Sequence, residues 1–173
     1  MKRTRYALVL VVLCLAWAGG AAAKPPLWDT IKPSGRFKVL KGFNQQAVSD
    51  AETGLVWTIS PGAGSTCTPP INWFSALYCC QITNAGGRLG WRLPSFQELQ
   101  TLVDTSQSNP ALQSGNPFTG VSGNYWTATT ITSTTTEALV IGLDTYLTFA
   151  ASKSGITENF WCVRAPGGFD LSN

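Results

Sequence analysis

Ile71-Asn72-Trp73-Phe74-Ser75-Ala76-Leu77-Tyr78-Cys79-Cys80-Gln81 is the stretch on which the fold turns, because it sets two adjacent cysteines on one short helix. At about 100° per residue, Trp73, Phe74 and Leu77 share a face, Cys80 falls beside Trp73 at the edge of that face, and Cys79 lies on the far side. Cys67 and Cys162 are the other cysteines beyond the N-terminal region. Four cysteines allow three pairings, and joining Cys79 to its neighbour Cys80 would close a strained ring. Two pairings remain open. The helical phase favours Cys80 with Cys162, which sits in the apolar run Phe160-Trp161-Cys162-Val163, and Cys67 with Cys79. A bridge over the long loop would add roughly 4 to 5 kcal/mol, against about 3 for the short one.

Reading these thiols as disulfides requires export, and the N-terminus supplies it. Lys2, Arg3 and Arg5 precede an apolar run over 6–17, and Ala21-Ala22-Ala23 offers small residues for cleavage, so 1–23 reads as a signal peptide. The destination is then periplasm, cell surface or medium, with no membrane span after cleavage. Of the 12 basic residues, the three in the signal account for the whole excess over 9 acids, which leaves nine against nine. Nucleic acid is therefore not an expected partner. Lys24, Lys32, Arg36, Lys38 and Lys41 form a basic lead-in. His is absent, which excludes a histidine base, a Ser/His/Asp or Cys/His nucleophile and an imidazole metal ligand. With 44% hydrophobic and 12% charged residues the rest suits one compact domain.

Further out, 36–40 and 55–59 read as strands, with Asp50-Ala51-Glu52-Thr53-Gly54 as a turn. Ser95-Phe96-Gln97-Glu98 is a capping box, and Phe96, Leu99, Leu102 and Val103 continue a second helix to about Asp104. The stretch 105–124 is rich in Ser, Thr, Gly, Asn and Pro and reads as a long ordered loop. Strand-like runs follow at 125–129, 138–142, 146–150 and 160–164. That order defines an α+β domain.

Asp50-Ala51-Glu52-Thr53-Gly54-Leu55-Val56-Trp57, Gly90-Trp91-Arg92-Leu93-Pro94-Ser95 with Glu98-Leu99, Tyr125-Trp126-Thr127-Ala128-Thr129 and Cys162-Val163-Arg164 resemble, in order and spacing, the motifs of the Lcl C-terminal domain family. That family, long of unknown function, is named after a collagen-like bacterial adhesin. The resemblance implies a C-type lectin-like fold, with two helices flanking a small antiparallel sheet, over 36–166, after an arm at 24–35 and before a tail at 167–173. It implies structural roles for Gly54, Trp57, Trp91, Arg92, Leu93, Pro94, Glu98, Trp126 and Arg164. Among these, Trp91, Leu93 and Trp126 would pack where helix meets sheet, and Arg92 would be a partly buried guanidinium paired with Glu98. Gly90 stands where the family often has Asp, Cys79 is additional, and there is no collagen-like stem, so adhesion by stalked trimers does not transfer.

Three functions follow as expectations. The first is a non-catalytic module binding a glycan or other extracellular polymer through the loops 105–124, 130–136 and 151–159. Asn109, Asn116, Asn124, Thr130 and Asn159 would hydrogen-bond hydroxyls, and Tyr125 or Phe118 would stack on a sugar face. No cofactor is expected, and calcium would have only the scattered Asp104, Glu137, Asp144 and Glu158. The second is a scaffold for protein contacts with an envelope or host protein. The third is a relative of formylglycine-generating oxidases, which need a free reactive cysteine pair that the bridges consume. A glycosidase would need two convergent carboxylates, and none are signalled.

Overall fold

The computed structural model describes residues 35–165. The signal peptide at 1–23, all of the arm but its last residue, and the tail at 167–173 lie outside the described residues. Among the described residues there are nine regular elements: β1 (Phe37–Val39), β2 (Ala47–Asp50), β3 (Val56–Thr58), α1 (Trp73–Ile82), α2 (Phe96–Gln100), β4 (Asn124–Thr130), β5 (Glu137–Gly142), β6 (Thr148–Ser152) and β7 (Val163–Arg164), with one turn of 3-10 helix at Lys41–Phe43. Two antiparallel sheets result, in the orders β1-β2-β3-β7 and β4-β5-β6. The α+β class holds, but a single small sheet does not: the last strand leaves the β4-β5-β6 meander to pair with β3.

Alternation explains the architecture. Trp126, Val140, Phe160 and Cys162 pack in one core with Trp73, Ala76 and Cys80 of α1. Their sequence neighbours Tyr125, Ile141, Trp161 and Val163 pack in a second core with Leu99 of α2 and Trp57 of β3. Successive residues of an extended chain point to opposite sides, so β4, β5 and the segment 160–163 form a wall with a core on each face. The helices lie on opposite sides of that wall.

Local chemistry fixes each corner. Asn72 caps α1, its Oδ1 accepting from the Ser75 amide at 2.9 Å, and Thr83 closes the helix by donating its hydroxyl to the Cys79 carbonyl at 2.8 Å. Ser95 and Glu98 form the reciprocal capping box at α2. Between β2 and β3, Asp50 accepts from the Glu52 amide at 3.0 Å and the Thr53 hydroxyl at 2.9 Å, and Gly54 takes a φ of +73° that a side chain would strain. Arg36 clamps the same carboxylate with Nε at 2.8 Å and Nη2 at 2.7 Å. Burial alone would raise the Asp50 pKa, but Arg36, the Glu52 amide and Thr53 together hold it below the ordinary value.

The tryptophans join elements. Trp73 donates its indole N–H to the Thr127 carbonyl, Trp126 to Ile71 and Trp161 to Thr58, each at 2.8 Å, and Trp91 donates to Arg88 at 2.7 Å. Trp57 Nε1 is buried and has no hydrogen-bond partner among the described residues, its ring set edge-on to Trp161 at 5.6 Å.

Both disulfides are present, Cys80–Cys162 across 82 residues and Cys67–Cys79 across 12. Several element boundaries differ from the sequence expectation, each for a physical reason. The inner face of α1 is Trp73, Ala76, Cys79 and Cys80, while Phe74 is 57% exposed. This helix is apolar on every side, so hydrophobicity carries no phase, and Cys79 is buried where its disulfide partner Cys67 packs against the first core. β2 has no counterpart in the sequence expectation because Ala47, Val48 and Asp50 are all buried and show no period-two alternation. The helix expected to reach Asp104 ends at Gln100; Leu102 is buried from the following turn, and Val103 bridges to Leu112. Tyr146 has a φ of +60° and belongs to the turn before β6, which moves that strand two residues on.

Two outcomes test this frame. Replacing Cys80 and Cys162 by Ala should cost about 4.5 kcal/mol in denaturant unfolding, and replacing Cys67 and Cys79 about 3; equal losses would contradict the long bridge as the principal staple. Asp50→Asn leaves Arg36 with Glu52 Oε2, 3.1 Å from Nε, as its remaining counter-charge; losing the buried charge-assisted hydrogen bonds of Asp50 should cost about 2 kcal/mol at pH 7. Because the Asp50 pKa is lowered in the fold, its contribution is present above the unfolded pKa and lost as pH falls through the folded one. The stability gap between the Asp50→Asn variant and its parent should therefore close only in acid.

Candidate functional site

The three loops do not converge on one surface. At the start of β4, 105–124 and 151–159 meet the turn between β5 and β6. Asn159 donates its amide N–H to the Asn124 carbonyl at 3.0 Å and its side-chain Nδ2 to the Ser122 carbonyl at 3.0 Å. Gly123 donates its N–H to Asp144 Oδ2 at 2.6 Å, and Asn124 Nδ2 donates to Glu158 Oε1 at 3.4 Å. A Cβ built on Gly142 would lie 2.6 Å from Thr145 Oγ1 and 2.9 Å from Asn124 Oδ1, so both groups crowd over that glycine. Burial pushes the Glu158 carboxyl above its ordinary range, with the Asn124 hydrogen bond opposing. Amide donors and carboxylate acceptors thus stand side by side at this end of the sheet. Tyr146, on the adjoining turn, is partly exposed and donates its hydroxyl to the Gln107 carbonyl.

The other end is organised around Lys153. Its Nζ donates to Thr130 Oγ1 at 2.8 Å and to the Thr135 carbonyl at 2.7 Å, and lies 4.2 Å from the centre of the Trp73 ring. Lys153 is buried, so the loop 130–136 is pinned beneath by an ammonium. Nothing in the sequence singles out this residue, because an isolated lysine next to serine reads as surface.

The remaining expected contacts fall as follows. Asn109 is exposed, with a φ of +51°, before a cis bond to Pro110. Asn116 is spent on its own turn, accepting from the Phe118 amide and donating to the Gln113 carbonyl. Thr130 accepts from Lys153. One expectation is corrected. Tyr125 is 1% exposed and cannot stack on a ligand: it packs in the second core, and its hydroxyl accepts from the Ser122 amide at 3.0 Å. Phe118 sits edge-on to Trp161 at 4.8 Å and Phe37 at 5.0 Å, an aromatic plug that fastens its loop. Both are drawn inward because an aromatic beside Gly and Asn still gains more from burial than from solvent.

The motif residues hold structure. Trp57, Trp91, Leu93, Pro94 and Trp126 are buried. Arg92 meets Glu98 through two bonds of 2.7 Å and 2.5 Å. That pair raises the Arg92 pKa and holds Glu98 below the ordinary range. The Arg92 side chain is 45% exposed. Arg164 is buried, near the rings of Phe43 at 5.5 Å and Trp91 at 5.9 Å. Of the acids considered for calcium, Asp104 accepts from Ser106 in its own turn, Glu137 opens β5, and Asp144 and Glu158 flank residues 123–124. Among the described residues no three His, Cys, Asp or Glu side chains are grouped to hold a metal ion.

Fold and site together define a small disulfide-stapled α+β domain whose polar side chains cluster at one sheet end. The model of the Lcl C-terminal domain matches residues 46–164, and the chain belongs to that family. The match begins one residue before β2 and ends with β7, so it contains both disulfides and leaves out β1. Comparison with curated proteins finds none that matches the chain. Among the described residues no helix is long and apolar enough to cross a membrane.

Burial, with a smaller contribution from the charge on Asp144, pushes the Tyr125 hydroxyl up to about 12. A raised pKa means stability that is full below the unfolded value and lost as pH rises through the folded one. Spectrophotometric titration should therefore show a tyrosine step near pH 12 that coincides with alkaline unfolding and disappears in Tyr125→Phe.

Proposed function

We propose that this chain is an exported, non-catalytic binding module of C-type lectin-like fold that recognises a glycan or other extracellular polymer at the start of β4. The observation that carries this reading is the set of Asn124, Asp144, Thr145, Glu158 and Asn159, in which amide donors alternate with carboxylate acceptors. Vicinal hydroxyls need such donors and acceptors at short spacing. Tyr146 takes the stacking role that the buried Tyr125 cannot fill, being the exposed aromatic on the turn that supplies Asp144 and Thr145. Two disulfides support an oxidising destination, periplasm, surface or medium. They also leave Cys67, Cys79, Cys80 and Cys162 without the free thiols an oxidase of the formylglycine-generating type uses.

A protein partner is the second reading, favoured by Phe74, Tyr78 and Ile82, exposed apolar residues four apart along α1. A glycan and polyanion array probed with the purified chain, with and without calcium, separates the two. Binding should appear without calcium and fall about tenfold in Glu158→Gln and Tyr146→Ala, the loss of roughly one charge-assisted hydrogen bond or one stacking contact. Thr134→Ala, at the opposite end of the sheet, should bind as the parent does. A silent array beside one reproducible protein captured from envelope extracts would overturn the glycan reading.

A further inference from the structure

The two sheets have four edges, and three are closed. β7 is covered by Arg92, which exchanges backbone hydrogen bonds of 2.9 Å with Val163. β4 is covered at one end by Asn159, whose carbonyl accepts from Trp126, and further along by Pro94, whose carbonyl accepts from Ala128. β1 is three residues long and carries Lys38 between Arg36 and Lys41, the charged kind of edge that discourages pairing.

Among the described residues, β6 has none of these protections. Its register with β5 runs unbroken from Ile141↔Thr148 to Glu137↔Ser152, without a bulge. Thr148-Phe149-Ala150-Ala151-Ser152 contains neither charge nor proline. Gly142 donates to the Leu147 carbonyl at 2.8 Å and Lys153 donates to the Thr136 carbonyl at 3.0 Å, so Leu147, Phe149, Ala151 and Lys153 are the residues bonded to β5. The backbone of Thr148, Ala150 and Ser152 consequently points away from the sheet. The Ser152 carbonyl is met by the Ile156 amide at 3.3 Å, whereas the N–H and C=O groups of Thr148 and Ala150, both exposed residues, face outward. Leu147, 63% exposed, and Ile156, 42% exposed, bracket the strand at its two ends.

We propose that β6 is a self-association edge, on which a second copy of this chain lays its own β6 antiparallel about a two-fold axis at Phe149. In that register Thr148 of one copy lies opposite Ala150 of the other, and the four outward groups form four hydrogen bonds. No charged residue meets its like across the axis, because the strand has none. The axis also carries the Leu147 end of one copy to the Ile156 end of the other, which covers the two exposed apolar side chains in a reciprocal manner. A strand that is neutral, unbulged and apolar at both ends is complementary to itself, and this is what selects a second copy over an extended segment of another protein.

The test uses charge exchange. In Thr148→Lys/Ala150→Lys the paired strands bring lysine opposite lysine, and in Thr148→Glu/Ala150→Glu they bring glutamate opposite glutamate. Sedimentation velocity should show the parent chain as a dimer, each double variant as a monomer, and their equimolar mixture as a dimer again. In the parent, hydrogen exchange at the Thr148 and Ala150 amides should slow as concentration rises, a readout that decides the matter should a variant fail to fold. A parent chain that stays monomeric up to its solubility limit, with those amides exchanging at a concentration-independent rate, overturns the proposal and leaves the edge to another protein's strand. Dimers that persist in the lysine variant, or a mixture that remains monomeric, overturn it equally.

Discussion

The disulfide between Cys80 and Cys162 is the constraint from which the rest of the architecture follows. It fixes α1 to an extended segment that lies between two hydrophobic cores, and that segment then hands alternate side chains to each: Phe160 and Cys162 to one, Trp161 and Val163 to the other. One covalent bond therefore sets the position of both cores relative to each other. The Cys162 carbonyl accepts from the Thr58 amide at 3.1 Å, and Trp161 donates to the Thr58 carbonyl, so the tie extends at once into the first sheet. A domain of this size divides its apolar material into two thin layers only if the wall between them is held in register, and a cross-link over a long loop does this with least dependence on local propensity.

Hydrogen bonds from indole groups complete what the cross-link begins. Trp73 and Trp126 each donate to a carbonyl on the element that carries the other, Thr127 in β4 and Ile71 before α1. The Trp73 bond is buried and the Trp126 bond partly so, and an unmade one would leave a buried N–H costing about 1 to 3 kcal/mol. The pair is consequently specific as well as stabilising, because a helix rotated by one residue would strand both donors. This is the physical content of tryptophan at these motif positions: the ring fills volume, and the N–H fixes the angle.

Elements with a local chemical signature are legible in the sequence, and those defined by long-range burial are not. The Ser95–Glu98 capping box and the Asp50–Gly54 turn are decided by neighbours within a few residues, and the structure has both. Helical phase places Trp73, Leu77 and Cys80 on the inner side correctly, but it misplaces Phe74, which faces solvent, and Cys79, which does not. A helix apolar on all sides gives no rotational information until its disulfide partners are known. β2 is hidden for the related reason that a strand buried on both faces loses its alternation, whereas the run 160–164 is expected as a strand from its apolar composition, and of it Val163–Arg164 pair as β7. At the polar cluster, Asn124 and Asn159 stand out because amides suit hydroxyls, but no sequence rule brings Asp144 to Gly123 or Glu158 to Asn124 across tens of residues.

The long loop ahead of β4 shows why a polar, glycine-rich composition does not mean a mobile surface. Ala111 and Leu112 are buried, Ala111 donates to the Leu143 carbonyl at 2.6 Å, and Thr119 donates to the Ile59 carbonyl at 3.0 Å. Phe118 then locks the far part of the loop against Trp161, a residue of the wall itself. The loop is thereby attached to both sheets before it delivers Ser122, Gly123 and Asn124 to the polar cluster. Side chains presented in this way have already lost their conformational freedom during folding, so a ligand that meets them gives up little entropy on their behalf. The same attachments that bury Tyr125 and fasten Phe118 are what hold the neighbouring amides and carboxylates in fixed positions, so the cluster draws its order from the aromatic residues packed beneath it.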